Sequence, residues 1–368
     1  MTGRSGIDRV DASCYTIPLS APESDGTLTW DHTDAVVVEI FSDGESGLGY
    51  TFGPSACQVL IDDMLSKEIV GRDPMNVNGA WEAMVRAVRN AGRPGIASMA
   101  IAAVDIALWD LKSKLLGVPL ADLLGRVRDA APVYGSGGFT SLSDSELVCQ
   151  LAGWAQGDRI PSVKMKIAVD RGSRPSEDVQ RVELVREALG GEVGLMVDAN
   201  GGYSRKQAVR VGQSFRELGV VWFEEPVSSD DLSGLSEVRQ LCDCDVAAGE
   251  YGYDLAYFDR LVTHEAVDVV QADVSRCAGI TEWMRIAALA AGHGLEISGH
   301  CAQSVHLHPA CAVSNLRHLE YFADHITVDH LLFDGVPSPD HGCLRPDLTR
   351  AGHGLLLKRA DAARYRRS

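Results

Sequence analysis

The chain has 368 residues, which suits two domains or one large barrel with an appendage. Hydrophobic residues make up 45% and charged residues 23%, ordinary globular values that exclude disordered, fibrous and low-complexity classes. Acidic residues outnumber basic ones 51 to 34, and the net charge of −17 argues against nucleic acid or an anionic membrane as partner, since phosphates need Lys/Arg stripes. An anionic substrate would need a local cationic centre against this field, either a bound metal or buried lysines.

Met1-Thr2-Gly3-Arg4 leads into no apolar signal core, and no window of 18 residues is predominantly apolar. The nine cysteines form no CxxC pair and read as reduced thiols, most of them small buried hydrophobes. A cytoplasmic protein is the expectation. In chain order, Asp34–Phe41 is β-rich, Ser42–Ser46 has turn chemistry, and Gly47–Phe52 returns as a hairpin partner. Ala97–Leu116 reads as a helix with Met99, Ala102, Ile106, Trp109 and Leu116 on one side, stopped by Gly117 and Pro119.

From about Ala131 short β-branched runs alternate with amphipathic helices. Val163–Ile167 precedes a helix expected to be capped by Ser176, and Gly194–Val197 precedes one capped by Ser204. Val220–Phe223, Val246–Ala248, Val267–Val270 and Leu295–Ile297 continue the series. The strands recur every 23–33 residues, the length of one βα unit, which predicts an α/β fold built on a (β/α)8 barrel. A doubly wound sheet is the competing fold, but no strand leads into GxGxxG or a P-loop.

Barrel chemistry takes place at the C-terminal rim, so polar residues at strand ends are the candidates. They are Lys164 and Lys166, Asp198 and Asn200, Glu224 and Glu225, Glu250, Asp273, His300 and Glu320. Asp198, Glu224 and Glu250 end consecutive strands 26 residues apart. Three inward carboxylates repel unless a cation neutralises them, and an oxygen-only donor set suits Mg²⁺, with Mn²⁺ as the substitute. Taken singly, each acid reads better as solvated or paired with a rim lysine; the three in register are what favour a metal. Lys164 and Lys166 point the same way from one strand. Desolvation and mutual repulsion are expected to lower the pKa of at least one, making it a base; Schiff-base formation is the other use of such a lysine. Asp273 stands where it can orient His300. His306, His308, His318 and His325 read mostly as packing or surface residues.

These residues form a pattern. Lys164-Met165-Lys166, Val197-Asp198-Ala199-Asn200, Trp222-Phe223-Glu224-Glu225-Pro226, Ala248-Gly249-Glu250, Asp273, Ser298-Gly299-His300 and His318-Leu319-Glu320 together resemble the enolase superfamily, in particular its mandelate racemase subgroup. The resemblance covers nearly the whole chain. It implies an α+β capping domain over residues 1–128, a barrel over 129–330 and a segment, 331–368, returning to the capping domain. It also implies that Asp198, Glu224 and Glu250 bind one Mg²⁺ per subunit, which stabilises the enediolate left when the proton α to a carboxylate departs. Lys166 would be the base on one face and His300, paired with Asp273, the base or acid on the other. Lys164 would contact the substrate carboxylate and depress the Lys166 pKa, Glu320 would donate a hydrogen bond from its protonated form, and Asn200 would sit beside metal and substrate.

Dehydration of a sugar acid to a 2-keto-3-deoxy acid is the first expectation from this resemblance, with racemisation, epimerisation or lactone cycloisomerisation of an α-hydroxy acid as the alternative. A non-catalytic acid-sugar-binding barrel is the reading from another class. The expected partner is a small carboxylate, and relatives are often dimers or octamers, so a homo-oligomer is implied. Pro18–Leu28 and Thr51–Ser55 would close the barrel mouth. The polar stretch Ala21–Gly26 favours a polyol over an aryl substrate, with Glu23 and Asp25 also readable as solvated loop charges. Tyr134 and Ser136 could reach substrate hydroxyls or serve structure.

Overall fold

The computed structural model describes residues 6–367, so the N-terminal reading at Met1–Arg4 lies outside the described residues. Three antiparallel strands open the chain: β1 (Arg9–Ser24), β2 (Thr29–Ser42) and β3 (Glu45–Phe52). The β2–β3 turn consists of Asp43 and Gly44, both with positive φ (51° and 81°), as a two-residue hairpin with matching twist requires. The β1–β2 register breaks between Pro18 and Glu23 and resumes at Glu23 opposite Trp30. Pro18 has no N–H to give the ladder, so the tip of the hairpin is free to follow a different course. That tip is tied down on the barrel: Thr140 N donates to Ser24 O at 2.8 Å and Arg171 N to Gly26 O at 2.9 Å.

The helix Ile96–Leu116 is buried on nearly all faces rather than along one stripe, because it lies between the three-stranded sheet and the barrel. Leu116, expected on the inner side, is 42% exposed. Close contact with the sheet depends on glycine. A Cβ on Gly47 would lie 2.1 Å from the Ala107 carbonyl oxygen, and one on Gly49 would lie 2.2 Å from that of Ala103. Gly49→Ala should therefore destabilise the protein by about 1–3 kcal/mol in urea unfolding, the usual cost of overpacking. A loss below about 0.5 kcal/mol, the range of neutral surface changes, would mean that helix and sheet separate freely.

Eight parallel strands then close into a barrel: β4 (Ala131–Gly137), β5 (Ser162–Lys166), β6 (Gly194–Asp198), β7 (Val220–Glu224), β8 (Asp245–Ala248), β9 (Val269–Ala272), β10 (Glu296–Gly299) and β11 (Leu316–Phe322). Each pairs with the next, and β11 pairs with β4. The predicted (β/α)8 barrel is thus present, carrying an N-terminal cap, and its interior is filled by Tyr134, Met196, Trp222, Ala247 and Val269. Ser204 caps its helix through a capping box with Gln207, as expected. Ser176 does not cap: the helix Pro175–Leu189 begins one residue earlier, with the proline in its first turn, where a missing N–H costs nothing.

After the barrel, Cys343–Leu344 pairs antiparallel with β4, and Leu356–Leu357 pairs with Phe333–Asp334. His353 Nε2 contacts Leu48 O at 2.7 Å, Arg359 bonds Glu39 at 2.6 Å, and Arg367 N donates to Cys14 O at 2.9 Å. Among the described residues no helix is long and apolar enough to cross a membrane, and all nine cysteines are free.

Cap and barrel also meet at Asp329, whose Oδ2 accepts from Tyr50 Oη (3.2 Å), Ser304 Oγ (2.6 Å) and Gln303 Nε2 (3.1 Å). Burial pushes this carboxyl up to about 7. The folded protein therefore holds a proton that the unfolded chain, with an ordinary value of about 3.9, releases. Its contribution to stability falls as pH rises from about 4 to about 7 and is level above that. Asp329→Asn keeps an acceptor oxygen and should flatten this part of the stability profile in melts across that window; an unchanged slope would show that the carboxyl ionises without cost.

Candidate active site at the barrel mouth

Period-two geometry sends Lys164 and Lys166 of β5 inward while Val163 and Met165 pack outside. Lys166 is in register with Asp198, and Asp198 with Glu224, so the strand ends present their polar side chains at one level. Glu250 follows β8 after Gly249, Asp273 follows β9, and His300 follows β10. Every one of these residues, with Glu320 on β11, is buried.

Oxygens of Asp198, Glu224 and Glu250 all lie within 4.8 Å of one another. Lys164 Nζ sits 2.5 Å from Glu224 Oε1, 2.8 Å from Glu320 Oε1 and 3.7 Å from Asp198 Oδ2, and Lys166 pairs closely with Asp198. Glu224 Oε2 accepts from Trp222 Nε1 (2.9 Å) and Gln271 Nε2 (3.0 Å). Asn200, with φ of 43°, donates its backbone N–H to Asp198 Oδ1 at 2.9 Å. His300 Nδ1 bonds Asp273 Oδ2 at 2.8 Å, and the other oxygen of Asp273 accepts from Ser275 N and Oγ, both at 2.7 Å. His300 Nε2 is left facing the cavity, 3.4 Å from Glu250 Oε2 and 3.7 Å from Glu320 Oε2. In the closed ring, Lys166 and His300 stand three strands apart one way and five the other.

The electrostatics correct two expectations. Burial does oppose the ammonium form of both lysines, and Lys164 opposes that of Lys166. Asp198, Glu250 and Glu224 outweigh them, however, and hold Lys166 above the usual ammonium range; Glu224 and Glu320 do the same for Lys164. The expected depression is absent because each lysine faces more carboxylate than ammonium. Glu320 is likewise not protonated in this arrangement. Burial pushes it up, but Lys164, His300 and Lys166 hold it well below the usual range, and its oxygens accept from Ser136 Oγ (2.6 Å) and Cys301 N (2.9 Å).

The residues present fit a divalent cation. Burial, and then Asp198, push Glu224 up, while burial and Glu250 push Glu225 up. Two ammonium groups thus do not suffice to ionise the whole cluster. Buried oxygens of Asn200 (Oδ1), Glu225 (Oε1) and Glu250 (Oε2) have no hydrogen-bond donor. Orphaned oxygens and excess negative charge, without His or Cys in the trio, are what a hard cation satisfies.

Some contributors were not foreseen. Arg276 Nη1 lies 3.6 Å from Glu250 Oε1, and its Nε lies 3.5 Å from Asp273 Oδ2. Its three-residue spacing from Asp273 was a usable signal. Cys301 Sγ is 3.5 Å from both His300 Nε2 and Glu320 Oε2. Asp273 stays ionised: burial opposes this, but His300 and Arg276 hold it well below the usual range. His306 and His318 are buried packing residues as expected, whereas His325 lines the cavity, stacked on Phe52 with centroids 3.5 Å apart. Tyr134 and Ser136 serve the site from below: Tyr134 Oη accepts from Gln271 Nε2 at 3.1 Å, and Ser136 holds Glu320. The cavity, about 330 Å³, is roofed by Asp25, Leu28 and Trp30 of the β1–β2 hairpin and by Phe52–Pro54. Asp25 is a turn residue, its Oδ1 accepting from Leu28 N at 2.8 Å.

The chain is similar to known proteins in sequence and in fold. The family "Mandelate racemase / muconate lactonizing enzyme, N-terminal domain" matches residues 13–125, and "Enolase C-terminal domain-like" matches 146–362. The L-talarate/galactarate dehydratase of Salmonella typhimurium is 33% identical over 86% of this chain and 81% of its own length. The 3,6-anhydro-alpha-L-galactonate cycloisomerase of Streptomyces coelicolor is 32% identical over 95% of this chain and 97% of its own. A mandelate racemase/muconate lactonizing enzyme-like protein from Rubrobacter xylanophilus superposes with a TM-score of 0.94, at 48% identity, covering 98% of this chain and 100% of that one. A racemase from Streptomyces coelicolor A3(2), solved with bound magnesium, gives 0.92 at 31% identity over 98% and 100%.

Proposed function

Because the chain belongs to the mandelate racemase/muconate lactonizing enzyme family of the enolase superfamily, we propose that it removes the proton α to the carboxylate of a polyhydroxy acid and then expels the β-hydroxyl, a sugar-acid dehydration. The observation that carries this reading is the pairing of two different proton-transfer groups, Lys166 and the Asp273-held His300, around one trio of carboxylates fit for a cation. On this reading residues 1–128 form the cap, 129–330 the barrel and 331–368 the returning segment.

In the proposed mechanism, Asp198, Glu224 and Glu250 hold Mg²⁺, which when bound supplies the positive charge that makes a carboxylate α-proton removable. Lys164 and Asn200 orient the substrate carboxylate from the β5 and β6 sides, while Glu320, ionised in this arrangement, must take up a proton before it can donate to that carboxylate from β11. Lys166 must give up its proton before it can act as base, so a site that draws carboxylate charge away from it is the reactive one. Asp273 fixes the tautomer in which His300 Nε2 is the free nitrogen. That nitrogen can take the α-proton, or return a proton to the departing hydroxyl, which leaves as water; the resulting enol tautomerises to a 2-keto-3-deoxy acid.

Cycloisomerisation is the second reading, favoured by the near full-length similarity to the Streptomyces cycloisomerase. The two are separated by incubating acid sugars and sugar lactones with Mg²⁺ and following the products by NMR. A 2-keto-3-deoxy product supports dehydration, an isomer of unchanged mass supports cycloisomerisation, and neither with any acid would remove the proposal.

A further inference from the structure

The two halves of the cavity differ in charge. On the barrel side stand Lys166 and Arg276, the only Lys and Arg among the described residues lining it. Both face barrel carboxylates: Asp198 for Lys166, Glu250 and Asp273 for Arg276. The lid side carries acids. Asp324, two residues past β11, is only 4% exposed; its Oδ2 accepts from Thr33 Oγ1 at 2.6 Å, while its Oδ1 has no well-aligned donor, the Trp30 indole being the only other group among the described residues that bonds the carboxyl. Behind it, Oε2 of the half-buried Glu23 is also without a donor, and the two carboxyls repel each other. Burial first, then Asp324, pushes Glu23 up to about 8, and the Trp30 indole beside both only partly offsets this. Asp25 is occupied by its own turn and Asp34 by Thr16 and Arg367. Of the three imidazoles lining the cavity, burial lowers His325 to about 3, His32 is engaged with Asp31, and His300 is engaged with Asp273.

We propose that the substrate's far end is neutral and rich in hydroxyls, that Asp324 with Glu23 behind it receives those hydroxyls, and that the site selects aldonic monoacids against aldaric diacids. This rests on the α-proton abstraction reading for the near end and adds the substrate class. Asp324 lines the cavity, so a substrate hydroxyl there would give its carboxyl a further donor. A second carboxylate would bring a charge with no cation to meet it and would leave Asp324 unsatisfied. The talarate/galactarate dehydratase relative acts, by its name, on diacids, so this chain would differ from it in the lid half of the site.

The test compares matched pairs, D-gluconate with D-glucarate and D-galactonate with galactarate, in two arms with Mg²⁺ present. In the binding arm, thermal shift and calorimetry on the Lys166→Ala variant, which retains the lid half, should show the better aldonate binding roughly tenfold or more tighter than its diacid. In the turnover arm the wild type should show the same order in kcat/KM. Asp324→Asn, and separately the half-buried Glu23→Gln, should narrow the preference chiefly through KM, with Glu23→Gln as the milder change should the first variant fold poorly. Diacids binding as tightly as aldonates, or no binding by either series, would overturn the proposal. Absence of turnover with a retained aldonate preference in binding would defeat the dehydration reading and support this one.

Discussion

Lys166→Ala should lower α-proton exchange by roughly 10²–10⁴-fold, the usual worth of a positioned base, for acids of one α-configuration, with a much smaller loss for the opposite one. His300→Asn should give the mirror-image pattern. The reason lies in where the barrel puts the two groups: Lys166 ends β5, and His300 follows β10, across the ring. A substrate held between them offers one face to each. Exchange of paired epimers in D₂O, read by NMR, checks this. Equal losses for both configurations in both variants would contradict a two-face site.

Asp273→Asn should cost roughly 10²–10⁴-fold in the His300-dependent direction. Its Oδ1 could still accept from Ser275 N and Oγ, so the loop need not move. The amide would then present N–H groups to His300 Nδ1, leaving the proton on Nε2, where the base should be free. The Lys166-dependent direction should be far less affected, which separates a tautomer defect from general damage. The effect should not depend on the ionisation of Asp273 itself. Its carboxyl is held well below the ordinary range, so it stays charged above about pH 4 and no rate limb there belongs to it.

The barrel was legible because its strands are short apolar runs recurring at βα length, and because a lysine, aspartate or glutamate at the end of such a run is out of character with what precedes it. Lys164, Lys166, Asp198, Glu224, Glu250, Asp273, His300 and Glu320 all lay at such ends, and the fold gathers them at one mouth. What stayed hidden depends on partners distant in sequence. The charge on Lys164 is decided by Glu224 and Glu320, 60 and 156 residues away, and that pairing reverses what two neighbouring lysines suggest by themselves. Asp324 acquires meaning only when Thr33, 291 residues earlier, and the hairpin tip close above it. Likewise β1 extends well past Pro18 because the tip is held by barrel loops, which local propensity does not record.

The most direct measurement is solvent deuterium uptake by an acid-sugar library, at the α-carbon of recovered acid or at C3 of a 2-keto-3-deoxy product, with Mg²⁺ and again after chelation. Incorporation into at least one acid with the metal, lost on chelation and restored by Mg²⁺, is the expected result. No deuterium at either position in any acid with the metal present, or uptake indifferent to chelation, would contradict the proposed chemistry.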